Sequence, residues 1–137
     1  MARIPRVVIP NEPHHVTQRG NRRQRKFFCR EDYQTYLDLM DDACRLFEVQ
    51  IWAYCLMPNH IHLIAVPRTE QALAQAIGRG HETYTRFLNF KKRWRGYLWQ
   101  GRFHSHPVDT EHLLRTACYV ELNPVGPGLV RKPEDYL

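Results

Sequence analysis

Residues 49–66, VQIWAYCLMPNHIHLIAV, predict two strands joined by a tight turn. The first nine residues are apolar on both alternating sets, which is typical of a strand inside a sheet. Pro58 and Asn59 are common turn residues, and residues 60–66 continue as a second strand. Because side chains two apart on a strand point to the same side, His60 and His62 project together, while Ile61 faces the other way. This hairpin is the centre of the predicted fold.

Elements on either side of the hairpin complete an α+β pattern. Residues 13–19 predict a first strand, and apolar positions at helical spacing predict helices over residues 31–47 and 70–90. Residues 97–108 are predicted to be extended. A third helix begins at Asp109 or Thr110 and reaches residue 122, before Pro124 stops it.

The order β-α-β-β-α-β followed by a helix is that of a ferredoxin-like split βαβ unit. This class has an antiparallel sheet with two helices on one face, which leaves the other face open for a site or for the C-terminal helix. At this length we expect residues 1–137 to form a single domain.

The charge balance indicates a polyanionic partner. The chain has 20 Lys and Arg against 14 Asp and Glu, a net charge of +6, which favours nucleic acid first and an anionic membrane surface second. No run of about 18 apolar residues occurs that could span a bilayer, and the N-terminus lacks the apolar segment of a signal peptide. We therefore expect a cytoplasmic protein.

The cysteines are widely spaced and form no C-x-x-C pair. In a reducing compartment this pattern predicts small buried apolar side chains rather than disulfides or a zinc knuckle. The four residues are Cys29, Cys44, Cys55 and Cys118.

His60 and His62 are a candidate half of a metal site. Two imidazoles side by side need one or two further ligands to hold an ion. The H-x-H pattern alone is weak, because polar residues on a solvated strand face have the same spacing. A second copy, His104-Ser105-His106, lies in a polar region more like a loop or a sheet edge, so the hairpin pair is the better candidate. His14 and His15 are adjacent and would face opposite ways on a strand.

The third predicted helix, DTEHLLRTACYVELN, has a tyrosine on its polar side. At about 100° per residue, Leu113 and Leu114 lie on the apolar side, and Tyr119 lies in the middle of the opposite side. Asn123 follows one turn later on the same face. A phenol and a carboxamide arranged in this way can serve as a nucleophile and a third metal ligand. A surface tyrosine followed by an asparagine cap before Pro124 explains the spacing equally well.

Two basic segments are candidate DNA-binding clusters, one after the first strand and one after the second helix. Such clusters can neutralise several phosphates each, and an asparagine or arginine can contact the edges of unpaired bases. Trp94, Tyr97 or Trp99 can stack on bases, although the tryptophans fit a core role as well. The candidate DNA-binding residues are Arg19, Asn21, Arg22, Arg23, Arg25 and Lys26 in the first cluster, and Lys91, Lys92, Arg93 and Arg95 in the second.

Three stretches together resemble one family: PNHIHLI (58–64), GYLWQGRFHS (96–105) and YVELNPV (119–125). In this order, with RGNRRQ (19–24) before them, they resemble the HUH-type single-strand tyrosine transposases, specifically the REP-associated branch. The resemblance implies a ferredoxin-like catalytic domain that nicks and rejoins single-stranded DNA near hairpin-forming repeats. It implies that His60 and His62 are metal ligands, that Tyr119 is the nucleophile and that Asn123 is a third, amide-type ligand.

A site of this kind predicts Mg²⁺ or Mn²⁺, because two imidazoles and an amide oxygen without a thiolate suit these ions; zinc is also compatible. The ion would withdraw charge from the scissile phosphate. Tyr119 would attack phosphorus, form a 5′-phosphotyrosine and release a 3′-hydroxyl, so that the strand can be rejoined without ATP.

Two departures from the family pattern keep an alternative open. Gly126-Pro127-Gly128 stands where the family usually continues with Arg-Ala-Gly, and the chain ends at Leu137 where relatives commonly run on. These favour, as the alternative, a catalytically inactive or domesticated module that binds DNA or RNA. A metallohydrolase of small substrates is weaker, because the arginine loop would then have no role. Related transposases include dimers and monomers, so a homodimer is compatible with the sequence.

Overall fold

The predicted hairpin forms the middle of a five-stranded antiparallel sheet. The computed structural model describes residues 7–109 and 129–131. The strands lie in the order β4-β1-β3-β2-β5, so β2 and β3 are both interior, as their apolar residues require. The strands are β1 (His14–Arg19), β2 (Val49–Met57), β3 (His60–Pro67), β4 (His104–Pro107) and β5 (Leu129–Arg131).

Two helices, α1 (Arg30–Leu46) and α2 (Ala72–Lys92), cover one face of this sheet. Their apolar stripes, which include Tyr36 and Leu73, pack with Val16, Ile61 and Leu63 of the strands in one core. The antiparallel sheet with two helices on one face confirms the predicted ferredoxin-like class. The third predicted helix, with Tyr119 and Asn123, lies outside the described residues. Within residues 7–109 and 129–131, no helix has the length and apolar character needed to cross a membrane.

The extended stretch predicted over residues 97–108 is a regular strand only at its end. β4 pairs with β1 at the edge of the sheet, and before it a single bridge joins Trp99 to Gly20. The 3₁₀ turn Asn21–Arg23 and the short strand β5 were not predicted.

The cysteines only partly follow the prediction. Cys44 and Cys55 are free and buried, and burial raises the pKa of Cys44 to about 12 and of Cys55 to about 11, so both thiols stay protonated. The prediction was wrong for Cys29, which is exposed at the N-cap of α1 with its Sγ 3.3 Å from the Nζ of Lys91. Cys118 lies outside the described residues.

Candidate metal centre and DNA-binding surface

His60 and His62 stand on the face of the sheet opposite the two helices. Their ring centroids are 5.1 Å apart, with the ring planes at 82°. Cross-strand partners place Arg19 beside His60 and Thr17 beside His62. His62 is buried, with 7% of its surface exposed, and His60 is half-buried. The predicted projection of both side chains from one face is therefore observed.

Each ring of this pair is hydrogen-bonded through Nδ1. The Nδ1 of His60 lies 2.8 Å from the Oδ1 of Asn59, and the Nδ1 of His62 lies 3.1 Å from the Nε2 of His15. Burial lowers the pKa of His62 to about 4, with further lowering from His15, His60 and Arg19. Burial and the Arg19 charge also lower the pKa of His60. Both imidazoles are therefore neutral at pH 7, the form that binds a metal.

The donor set fits a divalent ion but is incomplete among the described residues. Two neutral imidazoles on one face, each fixed through Nδ1, are the usual arrangement of histidine ligands, which bind through the other ring nitrogen. In the part of the chain that the structure describes, no cluster of three His, Cys, Asp or Glu side chains is placed to hold a metal. Asn123, the predicted third ligand, lies outside that part, as does Tyr119.

A row of histidines extends from the pair across the sheet, and the sequence pattern did not place its other members, His15 and His106, beside the pair. His15 of β1 stacks on His62, with centroids 5.3 Å apart and planes at 16°, and the edge of His106 of β4 approaches His15 at 5.3 Å. Burial, and then His106, lowers the pKa of His15 to about 4. Alternation places His15 and His14 on opposite faces as predicted, but only the strand register brings His15 to His62.

The first basic cluster lies directly beside the turn that precedes His60. The backbone N–H of Gly20 donates to the carbonyl of Asn59 at 2.7 Å, and that of Lys26 donates to the carbonyl of Pro58 at 2.7 Å. A Cβ on Gly20 would lie 2.7 Å from the carbonyl oxygen of Gln24, so only glycine fits there. Four arginines of the cluster are exposed: Arg19, Arg22, Arg23 and Arg25.

The second basic cluster packs alongside the first. The backbone N–H of Asn21 donates to the carbonyl of Leu98 at 2.8 Å, and Trp94 contacts the ring of Phe28 at 5.6 Å between centroids. The chain past α2 therefore runs next to the loop, and Arg93 and Arg95 are exposed on it. The two segments together form one arginine surface, which comprises residues 19–25 and 92–95.

Two of the predicted DNA-binding lysines are engaged in the fold. Lys26 is only 3% exposed, its pKa is lowered by burial, and its Nζ lies 5.9 Å from the centre of the Trp94 ring. Lys91 forms an ion pair of 2.6 Å with the buried Asp32. Lys92 lies over the Phe28 ring at 4.1 Å. We therefore leave Lys26 and Lys91 out of the arginine surface.

The three candidate stacking residues also differ. Trp99 is 9% exposed and belongs to the core, whereas Trp94 is 41% and Tyr97 89% exposed. Tyr97 lies on the rim of a mostly apolar groove of about 670 Å³ between α2 and residues 96–103. Tyr97 is thus the most accessible of the three aromatic rings.

Comparison with known proteins gives the same family as the motifs. Residues 11–123 match the family model described as transposase IS200 like. Over 105 residues the chain is 30% identical to a Haemophilus influenzae protein classed by name among the REP-associated tyrosine transposases. That match covers 69% of this chain and 60% of the relative, so the chain spans less than two thirds of the relative's length.

Two solved structures have a similar fold. One is a REP-associated tyrosine transposase bound to a REP hairpin, with a TM-score of 0.75 and 21% identity over 90% of this chain and 73% of that one. The other is a Deinococcus radiodurans protein described as a transposase, with a TM-score of 0.60 and 15% identity over 88% of this chain and 96% of that one. The family model covers most of the chain, and the chain therefore belongs to the IS200-like transposase family, as its three motifs indicated.

Proposed function

We propose that this chain is a metal-dependent tyrosine transposase that cleaves and rejoins single-stranded DNA beside hairpin-forming repeats. The observation that carries the proposal is a pair of imidazoles, His60 and His62, with ring centroids 5.1 Å apart next to an exposed arginine surface in an IS200-like chain. Residues 1–137 would act as one catalytic domain. A DNA substrate would place the protein at the nucleoid in the cytoplasm.

His60 and His62, with Asn123, would hold Mg²⁺ or Mn²⁺. When bound, the ion would supply electrostatic stabilisation of the charge that develops on the scissile phosphate. Asn59 and His15 engage the Nδ1 atoms of the two rings, so the ion would bind through Nε2. The hydrogen bonds and low basicity of the rings support this role because a protonated ring would repel a cation.

Tyr119 would supply the nucleophile. Its phenol, with a pKa of about 10, is about 0.1% ionised at pH 7, so the proton must leave as the oxygen attacks. A bond forms between the phenol oxygen and phosphorus, and the bond from phosphorus to the 3′-oxygen breaks; that oxygen takes up a proton. The ester energy stays in the 5′-phosphotyrosine, and attack by a 3′-hydroxyl reverses the step and rejoins the strand.

The arginine surface would bind the DNA backbone. Its exposed cations lie beside the turn that carries His60, so a strand held there passes the candidate metal ligands. Asn21 and Arg22 would contact unpaired bases, and Tyr97, whose ring is exposed, would stack on one. The solved relative bound to a REP hairpin supports a hairpin-bearing strand as the substrate class.

The adduct assay tests this function. The protein is incubated with a labelled hairpin-bearing single strand and Mn²⁺, and a covalent adduct that survives denaturation is expected. His60→Ala and His62→Ala should slow its formation by on the order of 100-fold or more, since a catalytic metal contributes several kcal/mol. His104→Ala, an exposed histidine on the same sheet face, is the matched control and should leave the rate unchanged.

Two other outcomes would change the conclusion. DNA or RNA binding without an adduct, under every metal tried, would contradict the proposed catalysis and favour the inactive or domesticated binding module. If His60→Ala and Tyr119→Phe proteins are each inactive but form adduct when mixed, the tyrosine of one subunit acts on the metal of another in a homodimer. Failure of the mixture would instead indicate a tyrosine and a metal pair within one chain.

A further inference from the structure

Asn59 and His15 stand in the same relation to the two candidate metal ligands. Each makes a hydrogen bond to the Nδ1 of one ring: Asn59 to His60 at 2.8 Å and His15 to His62 at 3.1 Å. We propose that Asn59 and His15 are positioning residues, which hold both imidazoles as the tautomer whose Nε2 is free of a proton and can bind the ion. The inference rests on the proposed metal centre and assigns a role to two residues outside its ligand set.

The amide of Asn59 decides the tautomer of His60. Its other end, Nδ2, lies 3.3 Å from the backbone carbonyl oxygen of Arg23, which can only accept a hydrogen bond. The NH₂ group must therefore face Arg23, and Oδ1 must face His60. Because an amide oxygen only accepts, Nδ1 of His60 carries the proton. The lone pair of His60 is then on Nε2, where a metal ligand needs it.

Asn59 is itself held by the arginine loop. Its backbone carbonyl accepts from Gly20 at 2.7 Å, and its side chain donates to Arg23. The residue that fixes His60 is thus anchored at both its backbone and its side chain in the loop that carries Arg22 and Arg23. One asparagine connects the DNA-binding segment to the ligand pair.

His15 gives His62 the equivalent partner from the neighbouring strand. The two rings are nearly parallel, at 16°, and the register of β1 against β3 holds them together. If His62 donates from Nδ1 to Nε2 of His15, its own Nε2 carries the lone pair, as in His60. Both rings then carry the lone pair on Nε2, the nitrogen left to a metal ion when Nδ1 is held by a hydrogen-bond partner.

Nuclear magnetic resonance of the metal-free protein tests the tautomers without any metal or activity. Nitrogen-15 spectra at neutral pH should show His60 and His62 with the proton on Nδ1 in the wild type. Asn59→Ala should let His60 populate both tautomers, and His15→Leu should do the same for His62. His15→Gln keeps an acceptor at that place and should restore the wild-type tautomer in part.

Calorimetric titration with Mn²⁺ alone measures the consequence. Loss of a partner of this kind costs 10–100-fold in metal affinity, so Asn59→Ala and His15→Leu should each weaken Mn²⁺ binding by about that factor. His15→Gln should fall between His15→Leu and the wild type. His104→Ala is the control and should bind as the wild type does. Unchanged circular dichroism and melting temperature show that a variant is folded. If Asn59→Ala does not fold, the comparison of His15→Leu with His15→Gln tests the inference.

The outcomes separate this inference from the proposed function. Wild-type Mn²⁺ affinity and wild-type tautomers in both Asn59→Ala and His15→Leu would overturn the positioning role while leaving the metal centre intact. A proton on Nε2 of either ring in the wild type would overturn it as well. A wild type that binds no Mn²⁺ would contradict the metal centre, and the spectra would still decide whether the two residues orient the rings.

Discussion

At the scale of single residues, the site owes its chemistry to histidines that stay uncharged. Burial lowers the pKa of His62 and His15 to about 4, and also that of His60. Neutral rings carry a lone pair that can bind a cation, whereas protonated rings would attract phosphate directly. Arg19, which pairs across the strands with His60, brings a positive charge to the edge of this face. The proposed cation ligands and the proposed phosphate ligand Arg19 are therefore separate groups on neighbouring strands.

The burial of neutral histidines also predicts that the fold loses stability in acid. The contribution of one of them, His81, can be measured separately. This ring in α2 is 6% exposed, bonded to the hydroxyl of Tyr36 at 2.7 Å and stacked on Trp99. Burial lowers its pKa from 6.5 to about 3. The unfolded chain takes up a proton below pH 6.5 and the folded chain does not, so the free energy of unfolding falls as the pH drops from 6.5 towards 3. From pH 7 to pH 5 we expect a loss of about 2 kcal/mol from His81.

Urea unfolding at the two pH values measures this loss. Other buried histidines act in the same direction, so the comparison uses His81→Gln, which keeps a partner for Tyr36 and has no proton to gain. The pH-dependent loss in the variant should be smaller than that of the wild type by about 2 kcal/mol. An equal loss in both proteins would contradict the assignment.

At the scale of the elements, two glycines in α2 behave differently although the sequence makes them look alike. Both weaken a helix in principle. A Cβ on Gly80 would lie 2.7 Å from the Cε of Met40, which is buried in α1, whereas a Cβ on Gly78 meets nothing within 4 Å. Gly80 is thus a close-approach position between the helices, and Gly78 is not.

Alanine at each position tests that difference. Gly78→Ala should raise the free energy of unfolding by about 0.5–1 kcal/mol, because alanine has a higher helix propensity than glycine and its methyl group displaces no neighbour. Gly80→Ala should give no gain or a loss of up to about 2 kcal/mol, because Met40 must move within a filled core. Denaturant unfolding compares the two variants directly, and equal stabilisation by both would contradict the close packing of α1 on α2.

The elements also show where sequence patterns are sufficient. β2 and β3 follow from long apolar runs, and both helices follow from apolar positions at helical spacing; the structure begins and ends all four within two residues of the prediction. β5 follows Pro127 and Gly128 and is only three residues long. An alternating apolar pattern cannot be recognised in so short a segment. β4 is shorter than the extended stretch predicted over residues 97–108, because the chain bends at residues 101–102, with Gly101 at a φ of 61°, before the strand begins at His104.

At the scale of the whole molecule, the arginine surface is made by tertiary contacts between distant segments. The sequence identifies the two basic segments separately, but their union depends on backbone bonds such as that from Asn21 to Leu98. The sequence likewise identifies His60 and His62, whereas His15 joins them only through strand register. Lys26 and Lys91 were predicted to bind DNA, but Lys26 is buried and Lys91 is paired with Asp32. A run of basic residues does not show which of its side chains the fold will bury or pair.

The salt dependence of DNA binding tests that surface. Each phosphate contact on a single strand contributes about 0.7 to the slope of log affinity against log salt concentration, so Arg22→Gln with Arg23→Gln should lower the slope by about 1.4 and weaken binding at low salt. The control is Arg45→Gln with Arg68→Gln, two exposed arginines paired with Asp41 and Glu48. The control loses the same charge and should keep the wild-type slope. Equal slopes in the two variants would contradict the arginine surface, because the loss of net charge would then explain the whole effect.

The central claim is a tyrosine nucleophile served by the histidine pair, and the most direct measurement is mass spectrometry of the covalent adduct. After incubation with the hairpin-bearing strand and Mn²⁺, nuclease and trypsin digestion should leave a 5′-linked nucleotide on the peptide of residues 116–131, with fragment ions placing it on Tyr119. Tyr119→Phe should carry no nucleotide, and Tyr97→Phe should be labelled as the wild type is. A nucleotide on any other residue, or equal labelling of the Tyr119→Phe protein, would contradict the account.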